Sequence, residues 1–209
     1  MKEKSFEKKT ELLEAALNEF SSKKYEDASL NSIIKNAGIS KGTFYYHFKD
    51  KQELYIYLLE SSSKVKWEFI NKNIKSSSTD ERRDIFEMFR LQAKVGAEFA
   101  SMHPNYHNLS RMFVKEKGNE IYDIAKIVLI EDNINPLNEI IENAIEEGDF
   151  RNDLPKEFII KIISHLFTHF EDVFNSEDDM ELGNIIKNLD YYVDFMKNGL
   201  CNKIKQEDI

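Results

Sequence analysis

A chain of 209 residues and 24.6 kDa is long enough to bury about 70% of the surface its unfolded form exposes, so it needs neither disulfide nor metal to fold. With 41% hydrophobic and 32% charged residues, and no aliphatic run longer than Ile127–Ile130, it reads as a soluble globular protein rather than a membrane-spanning or disordered chain. The net charge of −9 argues against indiscriminate coating of nucleic acid, yet residues 1–52 carry ten Lys against eight Asp and Glu, a net +2 that leaves −11 on residues 53–209; a basic head on an acidic body orients a molecule on a polyanion.

The first residues, MKEKSFEKKTELLEAAL, scatter charge where a secretory signal needs an apolar stretch, so a cytoplasmic location is expected. Apolar residues at i, i+3, i+4 and i+7 recur almost throughout and no segment alternates as a strand does, which predicts an all-α protein of about nine helices. Leu13, Ala16, Leu17 and Phe20 mark the inner face of a first helix. Leu30, Ile33, Ile34 and Ala37 mark a second, with Ser29 as N-cap and Gly38 as the residue that ends it. Ser40 caps a short third helix, Lys41 to Phe48, whose Phe44 and Phe48 share a face.

Asp50 with Glu53 three residues on predicts a capping box that opens a long fourth helix, with an apolar track of Leu54, Leu58, Val65 and Phe69. Ser76 to Thr79 is a low-complexity loop, and Ile85 to Ala100 is the next amphipathic stretch, ended by His103-Pro104. After a break at Gly118-Asn119, Ile121 to Glu147 reads as one long helix that Pro136 kinks, the alternative being a split near Asn133 to Asn135. Asp153 and Pro155 predict the cap and first turn of another. Two broad apolar stripes follow, Ile159 to Phe174 and Leu182 to Leu200, each wider than one internal face needs.

The segment Ser29 to Lys51, SLNSIIKNAGISKGTFYYHFKDK, carries the most specific pattern. Its Ala37-Gly38-Ile39-Ser40 turn, the run Gly42 to Phe48, and Lys51 followed by Glu53-Leu54 resemble the TetR family of transcriptional regulators from Leu12 to Leu58. A weaker similarity is Glu146 to Arg151, like the end of the family's seventh helix. The resemblance implies a three-helix helix-turn-helix DNA-binding domain, residues 1–52, followed by a helical ligand-binding and dimerisation domain, residues 53–209.

Independently of the family, two helices joined this way present the first residues of the second to base edges in a major groove about 12 Å wide. Those residues are Lys41, Gly42 and Thr43: an ammonium for guanine acceptors, a bare backbone for close approach, and a methyl with a hydroxyl. Tyr45, Tyr46, His47, Lys49 and Lys51 offer donors to phosphates, and Ser29 and Ser40 lie at helix N-termini that favour anions. In the family, the equivalents of Tyr45, Tyr46, His47 and Lys51 commonly hold the DNA backbone. The plain alternative, aromatic core, suits Phe44 and Phe48; Tyr45, Tyr46 and His47 cannot all turn inward on so short a helix.

The resemblance further implies a homodimer joined by the last two helices, for which Ile163, Phe167, Phe170, Phe174, Leu189, Val193 and Met196 are the expected contacts. It also implies an effector pocket. Trp67, Phe86, Phe89, Phe99, Met102, His103, Tyr106 and Phe113 are the candidates, because ligand cavities combine aromatic walls with a few polar tips; the competing role for each is ordinary core. His165 and His169 have the i, i+4 spacing of a metal pair but no third ligand placed by sequence, so no metal or cofactor is expected. Cys201, the single cysteine, reads as incidental. The chain has no HExxH, GxGxxG or phosphate-loop motif, so an enzyme is not expected. The expected partners are a palindromic DNA operator, a second copy of the chain and a small-molecule effector that releases DNA; the alternative is a body that docks a partner protein.

Overall fold

The computed structural model describes residues 8–76, 84–174, 176, 178, 179 and 181–201. These hold ten helices: α1 (Lys9–Phe20), α2 (Leu30–Asn36), α3 (Lys41–His47), α4 (Lys51–Ser76), α5 (Ile85–Met102), α6 (Pro104–Val114), α7 (Glu120–Glu146), α8 (Lys156–Thr168), α9 (Phe170–Val173) and α10 (Leu182–Leu200). No strand occurs among the described residues; the one extended pairing is an isolated bridge between Phe150 and Cys201. Most of the serine-rich loop, residues 77–79, lies outside them. No helix of the described residues is long and apolar enough to cross a membrane.

The chain divides into two compact units, Met1–Trp67 with Ala100–Leu129, and Glu68–Phe99 with Ile130–Ile209. Thus α6 and the first part of α7 pack with the helix-turn-helix, and the expected functional division at residue 52 falls inside the first unit. That unit's core gathers Leu12, Ala16 and Phe20 of α1, Ile33 and Ile34 of α2, Phe44, then Leu54, Tyr55 and Leu58 of α4, with Leu109, Ile121 and Ala125. Each large side chain so buried contributes about 1.5–3 kcal/mol. On α4 the inner track differs from the expected one: Val65 is exposed, and Tyr55, Leu59 and Ile70 take buried positions. The capping box at its start forms, with Asp50 Oδ1 accepting from the Glu53 N–H at 2.9 Å and Glu53 accepting from the Lys49 N–H, one residue earlier than the usual pairing.

In the second unit, Phe86, Phe89, Ile141, Phe150, Ile159, Ile163, Val193 and Met196 form the core. The segment Gly148 to Arg151 organises it. Gly148, at φ +77°, ends α7, its N–H donating to the Ile145 carbonyl and that of Asp149 to the Ala144 carbonyl. Asp149 Oδ2 then accepts from the Ile85 N–H at 3.0 Å, closing the N-terminus of α5. Phe150 stands edge-on to Phe86 with centroids 5.5 Å apart. The Arg151 N–H donates to the Leu200 carbonyl at 2.8 Å and fastens the end of α10.

α7 runs as one helix from Glu120 to Glu146, as the long helix expected there. Two expectations change. Pro155 precedes α8 as its N-terminal flanking residue, and Asp153 makes no cap: its carboxylate binds the Arg151 guanidinium in a two-pronged ion pair. The stripe Ile159 to Phe174 is broken at His169, which leaves the helical region at φ −118°, ψ 20°.

Candidate nucleic-acid interface

The turn between α2 and α3 is built by local chemistry. Ser29 caps α2 by accepting from the Ser32 N–H at 3.3 Å. At the other end Gly38 adopts φ +63°, where its N–H reaches the Lys35 carbonyl and the Ile39 N–H the Ile34 carbonyl, so two otherwise unpaired carbonyls are satisfied. A Cβ on Gly38 meets nothing closer than Lys8 Nζ at 3.4 Å, so backbone conformation and not space demands glycine here. Ser40 caps α3, its Oγ accepting from the Thr43 N–H at 3.0 Å and lying 2.9 Å from Thr43 Oγ1.

Helix α3 is two-faced. Phe44 is fully buried and Phe48 nearly so, their rings stacked with centroids 5.8 Å apart. Tyr45 and Tyr46 point out at 56% and 59% exposure, with Lys41, Gly42 and Lys49 exposed and Thr43 and His47 half-buried. The outer face thus presents an ammonium, a bare backbone and two phenols to solvent. Gly42 would meet only Ser40 Oγ, at 3.6 Å, were a Cβ added, so nothing within the protein requires glycine there.

The Lys51 side chain folds back onto the chain. Its Nζ donates to the carbonyls of Tyr25 at 2.7 Å, Ala28 at 3.1 Å and Glu26 at 3.4 Å, and lies 4.3 Å from the centre of the Tyr25 ring. Its donors close the turn before α2. Around it, Tyr25, Tyr55 and Phe20 form an aromatic cluster. Burial raises both phenol pKa values, and the Glu116 carboxylate pushes that of Tyr55 further in the same direction.

Sequence reasoning missed three supporting residues, Lys8, Glu19 and Glu116. Lys8 Nζ donates to the Gly38 carbonyl at 3.0 Å. Glu19 Oε1 accepts from Lys23 Nζ at 2.6 Å and the Ser29 N–H at 2.9 Å; the Lys23 hydrogen bond, then that of Ser29, hold its carboxyl below the usual range. Glu116, almost wholly buried, accepts the Tyr25 N–H at 2.7 Å. Apart from the Glu19–Lys23 pair, four residues apart, these partners lie 10 to 91 positions from one another, beyond any helical period.

The expected effector residues fall into different environments. Phe86 and Phe89 are core of the second unit, and Phe99 packs on Phe69 at 5.4 Å. Tyr106 and Phe113 pack against the core of the first unit. Trp67 is partly exposed, Met102 is 64% exposed and His103 lies at the surface. Among the expected dimer contacts, Ile163, Val193 and Met196 are buried within the chain's own core, because their side of each helix turns toward α5 and α7. Phe167 meets Phe89 at 4.6 Å, Phe170 and Phe174 meet Tyr192, and Leu189 is half-buried. The exposed apolar side chains on α8 and α10 are instead Phe158, Tyr191 and Phe195. The His165 and His169 rings stack at 4.1 Å, with His169 Nδ1 3.0 Å from the His165 carbonyl oxygen, and the described residues hold no cluster of three metal-ligating groups.

Helices α2 and α3, joined by the Gly38 turn, form a helix-turn-helix in an all-α chain. Residues 12–58 match the family of bacterial regulatory proteins, tetR family. The chain is 23% identical over 175 residues to the uncharacterized HTH-type transcriptional regulator YdgC of Bacillus subtilis, covering 83% of this chain and 84% of that one. It is 25% identical over 158 residues to the HTH-type transcriptional repressor KstR2 of Mycobacterium tuberculosis, covering 73% and 74%. The fold is similar to full-length TylP, a TetR regulator of Streptomyces fradiae, at a TM-score of 0.66 and 15% identity over 99% of this chain and 92% of that one. Residues 12–58 thus match the N-terminal domain of the TetR family, and the rest of the chain is similar in fold to TetR-family regulators.

Proposed function

We propose that the chain is a homodimeric repressor that reads a palindromic operator through α3 and releases it when a small effector binds the body. The observation that carries the DNA-reading part is the outer face of α3, where Lys41, Gly42, Tyr45 and Tyr46 stand exposed on a helix whose other face is locked by Phe44. Lys41 and Thr43 read bases; Tyr45, Tyr46, His47 and Lys49 hold phosphates; Ser29, Ser40 and Lys51 shape the reader. Residues 1–52 carry DNA reading and 53–209 carry dimerisation and sensing, in the cytoplasm. Repression is supported by KstR2, a transcriptional repressor in its own right. Phe158, Tyr191 and Phe195 supply an apolar face for a second copy, placing two readers on half-sites roughly 34 Å apart. The second reading, a body that docks a protein instead of a small molecule, shares every DNA contact.

The test is selection of duplexes from a random library by the purified protein, followed by affinity measurements across a salt series for wild type and for Lys41→Ala with Tyr45→Ala. Selective binding that falls steeply with salt and is at least tenfold weaker in the variant supports the reading. Equal, unselective binding by both proteins sinks it.

A further inference from the structure

We infer that Glu116 is a positioning residue that fixes the DNA-reading helices to the turn between α6 and α7. The peptide of Tyr25 is held from both sides: its N–H by Glu116 Oε1 at 2.7 Å, its carbonyl by Lys51 Nζ at 2.7 Å. Glu116 sits two residues beyond α6, and its second oxygen accepts from Asn119 Nδ2 at 2.7 Å, so the carboxylate also ties the start of α7. A carboxylate that is 1% exposed with no cation among its hydrogen-bond partners is costly to bury; here two N–H groups compensate it, and one of them belongs to a residue 91 positions away.

Tyr25 is followed by Ala28, whose carbonyl Lys51 also holds, and by Ser29, the cap of α2. The Glu116 carboxylate is thus linked to the α2 cap by one hydrogen bond and four residues of backbone, a segment that Lys51 of α4 holds as well. The inference rests on the DNA-reading function proposed above, and names one residue that positions its helices.

Two variants separate the latch from general stability. Glu116→Gln keeps an acceptor for the Tyr25 N–H; Glu116→Ala removes it. Amide hydrogen exchange, without DNA, is followed in the peptide spanning residues 22–30 and, as reference, in α1. Affinity is measured for the duplex that wild type selects from the random library. Glu116→Ala is expected to speed exchange at 22–30 roughly tenfold or more with α1 little changed, and to weaken duplex binding by a similar factor. Glu116→Gln should stay within about threefold of wild type in both. Duplex affinity in Glu116→Ala equal to wild type overturns the inference, as does exchange that rises equally in α1 and the turn, or Glu116→Gln as impaired as Glu116→Ala. If wild type selects no duplex, the DNA-reading proposal fails by itself, and the exchange comparison alone decides the latch.

Discussion

At Gly38 a positive φ, a lysine on its carbonyl and two backbone hydrogen bonds meet within one turn. Gly38→Ala puts a side chain into the left-handed region and is expected to lower stability by about 1–2 kcal/mol in urea unfolding, with duplex affinity falling because the angle between α2 and α3 shifts. Ser40→Ala, which leaves the Thr43 N–H without its cap, should lower it by about 1 kcal/mol. Glu19 sets an acid limit. Its folded carboxyl titrates below the unfolded one, chiefly through the Lys23 and Ser29 hydrogen bonds. Its contribution is therefore whole above the ordinary glutamate pKa and fades as pH falls through the lower folded value. Glu19→Gln should flatten that part of the stability profile between neutral and acid pH; a profile parallel to wild type in urea midpoints would count against this.

Among the elements, α3 was legible because an exposed reader and a buried anchor alternate on one helix: Phe44 and Phe48 inward, Tyr45 and Tyr46 outward. Helix α8 was less so. Its apolar residues exceed what one face holds, and only packing separates Ile159 and Ile163, inside, from Phe158, outside. The Glu146–Arg151 segment, visible in the sequence only as a similarity, proves to be the joint of α5, α7 and α10. Asp149→Ala strands the buried Ile85 N–H and should cost about 1–3 kcal/mol of stability while leaving the outer face of α3 intact. The check is a lowered unfolding midpoint with unchanged duplex affinity, measured well below that midpoint.

For the molecule as a whole, the proposed dimer makes two opposite predictions on one helix. Phe195→Asp, on an exposed apolar position, should shift sedimentation equilibrium toward monomer with little loss of protomer stability. Met196→Ala, one residue on and fully buried, should destabilise the protomer by about 2–5 kcal/mol through the cavity it leaves. Dimerisation lost in Met196→Ala but kept in Phe195→Asp would reverse the assignment of the two faces. The lysines of residues 1–52 are expected to give the proposed DNA binding a steep salt dependence, since each phosphate they neutralise releases counterions.

By itself the sequence determined the all-α class, the caps at Ser29, Ser40 and Asp50, the glycine turn at Gly38 and the two-faced third helix, because capping, left-handed backbone and helical period are written within a few neighbouring residues. Tertiary structure alone decided which apolar stripe faces the core, that Lys51 closes a turn, and that Glu116 meets Tyr25. A lysine or glutamate in a polar stretch looks the same whether it faces water or a peptide group brought from far along the chain, and only the packing of α1, α4 and α6 brings those groups within hydrogen-bond reach.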